Sequence, residues 1–174
     1  MFTFRGTNSR ALNMTVRSID RSLLPALRRN ELTIAGRHGR YDFGNNKYDN
    51  RIITLRAFIE ASSLQQLRQR ARKVAQFLSV KGELVFDDEP DKRYIGRIYS
   101  PISFENIGHN GEIEFSFELE PFAYGERITN EVTRTDDTPI YVFNSGNFDT
   151  PSTITITNTG EDTIDGLTIR VIKN

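Results

Sequence analysis

Alternation of apolar and polar positions runs through most of the chain. In residues 112–120, Ile113, Phe115, Phe117 and Leu119 alternate with Glu112, Glu114, Ser116, Glu118 and Glu120. Successive strand side chains point to opposite faces, so this pattern predicts a half-buried antiparallel strand with one apolar and one acidic face. Pro121 removes a backbone donor and helps to end it. Residues 51–60 are rich in β-branched side chains and place Ile53, Leu55, Ala57 and Ile59 on one face. The other face carries Ile52 and Phe58, as in a strand covered on both sides. Leu12, Met14 and Val16 share one phase near the N-terminus, and residues 31–35 are read as a strand with Leu32 and Ile34 turned inward. Residues 82–86 and 94–104 read as two arms of a hairpin around Asp87-Asp88-Glu89-Pro90-Asp91. Residues 105–111 form a turn cluster of Asn and Gly that feeds the next strand.

One helix is predicted, over residues 63–80. Leu64, Leu67, Ala71, Val74 and Leu78 recur at spacings of three and four and draw a single apolar stripe. Ser62 and Ser63 each have a Gln three residues on, which suits a capping box. Gly82 is the expected C-terminal cap. One helix among many strands gives an α+β chain that is mainly β: an antiparallel β-sandwich with a covering helix and a hairpin. Beyond Tyr124 the composition becomes polar. Residues 125–137 read as an exposed strand or linker, residues 144–147 as a turn, and residues 152–157 as a strand with Ile154 and Ile156 in phase. A hairpin or bulge is expected around Asp165-Gly166. The expected organisation is a β domain over residues 1–123, then a linker and an incomplete second β domain over residues 124–174.

Composition narrows the chemistry. Hydrophobic residues make up 37% and charged residues 26% of 174 residues, and 23 basic residues balance 23 acidic ones. A zero net charge argues against a nucleic-acid binder that works through a dominant basic field. The absence of Cys removes disulfides, Cys-type zinc sites and thiol catalysis. The two histidines, His38 and His109, lie far apart in sequence and exclude a His-rich metal site. The first ten residues do not form a signal peptide, and no apolar run approaches the ~20 residues that span a bilayer. The expectation is a soluble protein made in a cytosol, with no membrane partner.

Four clusters of charged or glycine-rich residues are candidates for chemistry. Gly36-Arg37-His38-Gly39-Arg40 lacks the Gly-Lys-Ser/Thr and helix of a phosphate loop and reads as a turn, because glycine is the default residue at positive φ. Asp87, Asp88, Glu89 and Asp91 lack the spacing of a calcium loop and read as an acidic solvated turn. Glu112, Glu114, Glu118 and Glu120 read as the wet face of a strand, with a basic partner surface as the functional alternative. Arg68, Arg70, Arg72 and Lys73 lie off the helix stripe and read as a solvated face, with a protein interface or contact with nucleic-acid phosphates as the alternatives. No nucleophile elbow, Ser–His–Asp order or zinc helix is present. The reading is therefore non-enzymatic, with no catalytic, cofactor-binding or metal residues and no cofactor.

The order of parts carries more than any cluster. Leu32-Thr33-Ile34-Ala35-Gly36-Arg37-His38-Gly39-Arg40-Tyr41 leads to the long strand of residues 51–59. The helix follows, then Gly82-Glu83-Leu84-Val85-Phe86-Asp87-Asp88-Glu89-Pro90 and Lys92-Arg93-Tyr94-Ile95-Gly96-Arg97-Ile98. Over residues 12–122 this resembles the N-terminal region of the distal tail proteins (Dit) of phages with long non-contractile tails. Gly146-Asn147-Phe148-Asp149-Thr150-Pro151 resembles the entry to that family's galectin-like C-terminal β domain. The resemblance implies a structural virion protein, made in the bacterial host cytoplasm and located in the tail. It implies a homo-oligomer, a hexameric ring built by the N-terminal domains, that joins the tail tube to the host-facing tail-tip proteins. DNA passes through such a ring without specific binding. The alternatives are a tail-tube subunit and a β-sandwich carbohydrate-binding module. The latter would have to stack sugars on Tyr41, Tyr48, Tyr94, Tyr99, Tyr124 or Tyr141, since Trp is absent.

Overall fold

The computed structural model describes residues 1–44, 47–107, 110–133, 140–143, 146–163, 165–166 and 168–169, without the side chains of residues 106 and 107. It divides into two units, Met1–Thr129 and Asn130–Asn174. Among the described residues, the first unit holds ten strands and one α-helix. They are β1 (Phe2–Phe4), β2 (Thr7–Asn8), β3 (Met14–Arg21), β4 (Glu31–Leu32), β5 (Tyr41–Asp42), β6 (Arg51–Ile59), β7 (Gly82–Phe86), β8 (Glu89–Ile98), β9 (Ser103–Ile107) and β10 (Asn110–Leu119), with α1 (Leu64–Leu78) between β6 and β7.

Eight strands form one antiparallel sheet in the order β2-β1-β7-β8-β10-β6-β3, with β9 added to β10. β10 is its axis. It pairs with β6 from Gly111 to Leu119, and its other edge is shared by β9 at Ile113↔Phe104 and β8 at Phe117↔Ile98. The sheet is rolled. Neighbouring strands are ~4.8 Å apart, so in a flat sheet β1 would lie ~14 Å from β10. Yet the Phe2 ring is 6.2 Å from both Phe115 and Phe117, and Phe4 is 5.0 Å from Phe117. Arg21 of β3 lies 4.6 Å from the Phe86 ring of β7, a strand four positions away in the sheet. The two halves of one curled sheet therefore face each other across a single core.

The alternation in β10 and β6 fixes that core. Ile113, Phe115, Phe117 and Leu119, with Ile53, Leu55, Ala57 and Ile59, are buried. Each of these side chains except the small Ala57 stabilises the fold by ~1.5–3 kcal/mol of apolar transfer. On the outer face of β6, Phe58 is half-buried beneath the Arg17 guanidinium, but Ile52 is exposed, so this strand is covered on one side only.

α1 packs on β6 and β10 through Leu67, Val74 and Leu78, all buried. Ser63 is its N-cap and accepts from the Gln66 N–H at 3.2 Å, while Gln66 Oε1 accepts from the Ser62 N–H at 2.9 Å. The helix ends earlier than residue 80, at Leu78. Ser79 serves as the C-cap, its N–H and hydroxyl both donating to the Gln76 carbonyl. Gly82 is not the cap. It opens β7, where a Cβ would stand 2.3 Å from Arg5 Cγ.

Four other boundaries differ from the sequence expectation. Leu12 belongs to a 3-10 turn, Ser9–Leu12, rather than to β3. The β7–β8 turn is shorter than expected, because Phe86 pairs with Glu89 and only Asp87 and Asp88 lie outside the ladder. Residues 94–104 are two strands: β8 ends at Ile98 and β9 restarts at Ser103, after Pro101. Residues 105–107 are strand rather than turn. In the second unit, residues 152–157 join no ladder among the described residues, and Ile154 and Ile156 are exposed. Residues 144–145, and Ile164 and Leu167 of the expected hairpin, lie outside the described residues.

Candidate assembly surfaces

β3 and β6 pair at Arg21↔Ile53, yet the described residues between them, 22–44 and 47–50, lie outside that sheet. A connection this long within a compact domain is usually functional. It forms a hairpin arm. Asp49 N–H donates to the Ala26 carbonyl at 2.8 Å and Arg28 N–H to the Lys47 carbonyl at 2.7 Å. β4 and β5 continue the pairing at Leu32↔Tyr41. Gly36 and Gly39 turn the tip at φ 79° and 77°, so the expected turn is present there. Ion pairs Arg28–Asp49 at 2.9 Å and Arg40–Glu31 at 3.0 Å brace the two limbs. At the base, Arg51 donates to the carbonyls of Ser22 and Leu23 and lies over the Tyr94 ring. The Tyr48 ring stands edge-on to Phe122 at 5.3 Å.

The arm holds apolar side chains in water. Leu23 is fully exposed, Leu24, Leu27, Leu32 and Phe43 are more than half exposed, and Ile34 and Tyr41 are over 40% exposed. Leu32 and Ile34 were expected to face inward. The strand is shorter than the expected residues 31–35: it stops at Leu32, and Ile34 lies outside it. A two-stranded ribbon away from the core also has no inside. Single exposed apolar residues are ordinary; a run confined to one projecting element marks an interaction surface.

The charged clusters are mostly answered within the chain. In the β7–β8 turn, Asp87 lies 3.8 Å from the N-terminal amine, Arg21 holds Asp88 and Glu89, and Lys92 holds Asp91 at 2.9 Å. Burial raises the Asp88 pKa, but hydrogen bonds from Arg21 and the local backbone outweigh it and hold the carboxyl below its ordinary value. The hydrogen bond from Lys92 does the same for Asp91. Burial first, and then the Glu89 carboxylate, push the Tyr94 phenol up. This turn is a latch between two halves of the rolled sheet. Among the described residues no group of His, Asp or Glu is arranged to hold a metal.

Three of the four glutamates in the Glu row, Glu114, Glu118 and Glu120, are likewise engaged. Glu114 pairs with Arg56 across the β6–β10 ladder, and Glu118 accepts from Asn50 at 2.7 Å. Glu120 accepts from Lys81 at 3.2 Å and from the Tyr124 hydroxyl at 2.7 Å, and the latter bond pushes the Tyr124 phenol up. It is not the open acidic face that the alternation suggested. On the helix, Arg70 donates to the Glu60 carbonyl. Arg68 and Arg72 instead flank a groove between α1 and β9, lined by Ala71, Ala75, Ile102 and Phe104. His38 is exposed at the arm tip, and His109 lies outside the described residues. Sequence reasoning missed the exposure of the arm and the groove, since both depend on where the sheet is absent.

Comparison with known proteins accords with this architecture. A solved structure with the same fold is the Dit (gp 19.1) protein of phage SPP1, described as a paradigm of the hub adsorption apparatus in phages that infect Gram-positive bacteria. The TM-score is 0.61 at 21% identity, over 72% of this chain and 53% of that one. The chain thus spans about half the length of that structure. No curated protein matches. The profile of the phage tail protein RIFT-related domain matches residues 13–119, from just before β3 to the end of β10. With well over half of its length under that profile, the chain belongs to the phage tail protein family defined by the RIFT-related domain.

Proposed function

We propose that this phage tail protein is a structural, non-enzymatic component of a siphophage tail tip, where copies assemble into a hexameric ring joining the tail tube to the host-facing tip proteins. The observation that carries the reading is the arm of residues 22–50, with its apolar side chains held in water. A ring needs one surface that meets a different surface on the next copy, and a projecting braced hairpin supplies such a surface. The fold shared with a hub protein supports the same assignment. Residues 124–174 are, in this reading, a linker and the start of an outer galectin-like β domain. The support is the phase of Ile154 and Ile156, whose exposure of 54% and 51% a second β layer would remove.

The test is sedimentation of the chain beside a Leu32→Asp/Phe43→Asp variant. Both side chains are exposed, so the thermal transition should be unchanged while the oligomer dissociates. An oligomer that survives the double change removes the arm from the contact. A wild-type protein that elongates into filaments points to a tail-tube subunit instead.

A further inference from the structure

The groove between α1 and β9 has three features that the ring reading does not require. Its volume is about 470 Å³, and its walls are largely apolar: Ala71 and Ala75 from the helix face Ile102 and Phe104 from the strand side. β9 pairs only with β10, so among the described residues its outer edge has no strand partner. Arg68 and Arg72 stand at the rim, and among the described residues neither guanidinium has a hydrogen-bond or ion-pair partner. A free strand edge beside a helix, with apolar walls, is the setting in which an extended segment adds as a further strand. The unpaired guanidiniums call for a carboxylate on that segment.

The chain carries such a segment. Residues 125–129 read Gly-Glu-Arg-Ile-Thr and belong to no helix or strand. Ile128 is 60% exposed, and Glu126 is exposed with no partner among the described residues. Residues i and i+2 of a strand share a face, so Glu126 and Ile128 would project together. The segment cannot fill the groove of its own chain. Tyr124 is fixed to β8 by its bridge to Arg93, three residues beyond the Gly96↔Leu119 pair, whereas the groove lies at the level of Ile113. That separation is ~30 Å at ~3.4 Å per residue, and four residues from Tyr124 to Ile128 reach at most ~14 Å. The other candidates fit less well. The arm carries Arg28, Arg29, Arg37, Arg40 and Lys47 against three acidic residues, so it would meet Arg68 and Arg72 with like charge. The β7–β8 turn has its carboxylates already occupied.

We propose that the groove between α1 and β9 receives residues 125–129 of a second copy, which add along the free edge of β9 with Ile128 between the apolar walls and Glu126 against Arg68 and Arg72. The contact is head-to-tail, and it rests on the reading that copies of this chain assemble. It would be a second contact beside the arm, tying the exit of each first unit to its neighbour.

The experiment uses the full chain and a fluorescent peptide of residues 122–133. Saturable binding is expected, lost in Ala75→Arg, which fills the groove. A peptide carrying E126R should bind at least about tenfold more weakly to the wild-type chain and recover on Arg72→Glu, a change at an exposed position that should not disturb folding. Absence of saturable binding overturns the proposal, and so does equal binding by Ala75→Arg with an unchanged circular-dichroism spectrum. In parallel, Ile128→Asp should dissociate the oligomer. A chain that assembles but ignores both the peptide and Ile128→Asp overturns this contact and leaves assembly standing. A chain that binds the peptide yet stays monomeric keeps the groove and overturns the assembly reading.

Discussion

Substitution of Gly96 by alanine tests the seam on which the rolled sheet depends. β8 and β10 meet at three pairs only: Phe117↔Ile98, Glu118↔Arg97 and Leu119↔Gly96. A Cβ on Gly96 would stand 2.2 Å from the Glu118 carbonyl oxygen, 2.7 Å from Leu119 Cα and 2.8 Å from Leu119 Cδ2. Two of these atoms are backbone, so no rotamer change relieves them. An ordinary contact of ~3.5 Å requires the strands to separate by roughly 1 Å, which stretches or breaks the neighbouring ladder bonds. Overpacking typically costs 1–3 kcal/mol, and a clash against backbone belongs at the upper end, about 3 kcal/mol. At 2–4 °C per kcal/mol for a chain of this length, Tm should fall by about 6–12 °C. At Gly160, outside the core, the nearest atom to an added Cβ is Asn158 Oδ1 at 3.4 Å, so Gly160→Ala is the control and should melt like the parent. Melting followed by circular dichroism decides the matter. Gly96→Ala melting within about 1 °C of the parent would refute the close approach of β8 to β10, and with it the topology of the core.

Further outcomes follow from the same structure. Phe4→Ala should cost about 3–5 kcal/mol in chemical denaturation, because the buried ring meets Phe77 at 5.6 Å and Phe117 at 5.0 Å; a loss below 1 kcal/mol would mean that β1 is not part of the core. Ser63→Ala should cost about 1 kcal/mol through its lost cap, with little change in Ser62→Ala, whose backbone N–H still meets Gln66. Asp88 and Asp91 have depressed carboxyl pKa values, so their contribution is present above the ordinary carboxylate value of 3.8 and is lost as pH falls through the lower folded values. Urea midpoints between pH 6 and pH 2.5 should therefore drop on the acid side, and less steeply in Arg21→Ala, which frees Asp88; parallel curves would remove the Arg21 latch.

The parts of the fold that sequence patterns reveal are those where one local rule decides the outcome. β10 and β6 alternate over many residues against a buried face, and α1 carries a stripe at helical spacing with a serine cap, so period and environment agree. β1 was invisible because Phe2–Phe4 is too short to show a period; its place is set by pairing with β7, more than 75 residues away. Gly82 illustrates a second kind of ambiguity. A glycine after a helix suits a cap, and a glycine in a strand suits close approach; only the position of Arg5 distinguishes them. Leu32 and Ile34 illustrate a third. Alternation reports strand geometry but not what lies against either face, and the arm has no core beneath it. The same limit hid the groove, whose walls come from α1 and from Ile102 and Phe104, roughly thirty residues apart in sequence.

The most direct test of the central claim is the mass and shape of the intact chain in solution: light scattering on a sizing column, with negative-stain images of the same peak. The account predicts a mass of six copies and a closed disc with a central hole. A single species at 20.0 kDa across the concentration range would contradict it.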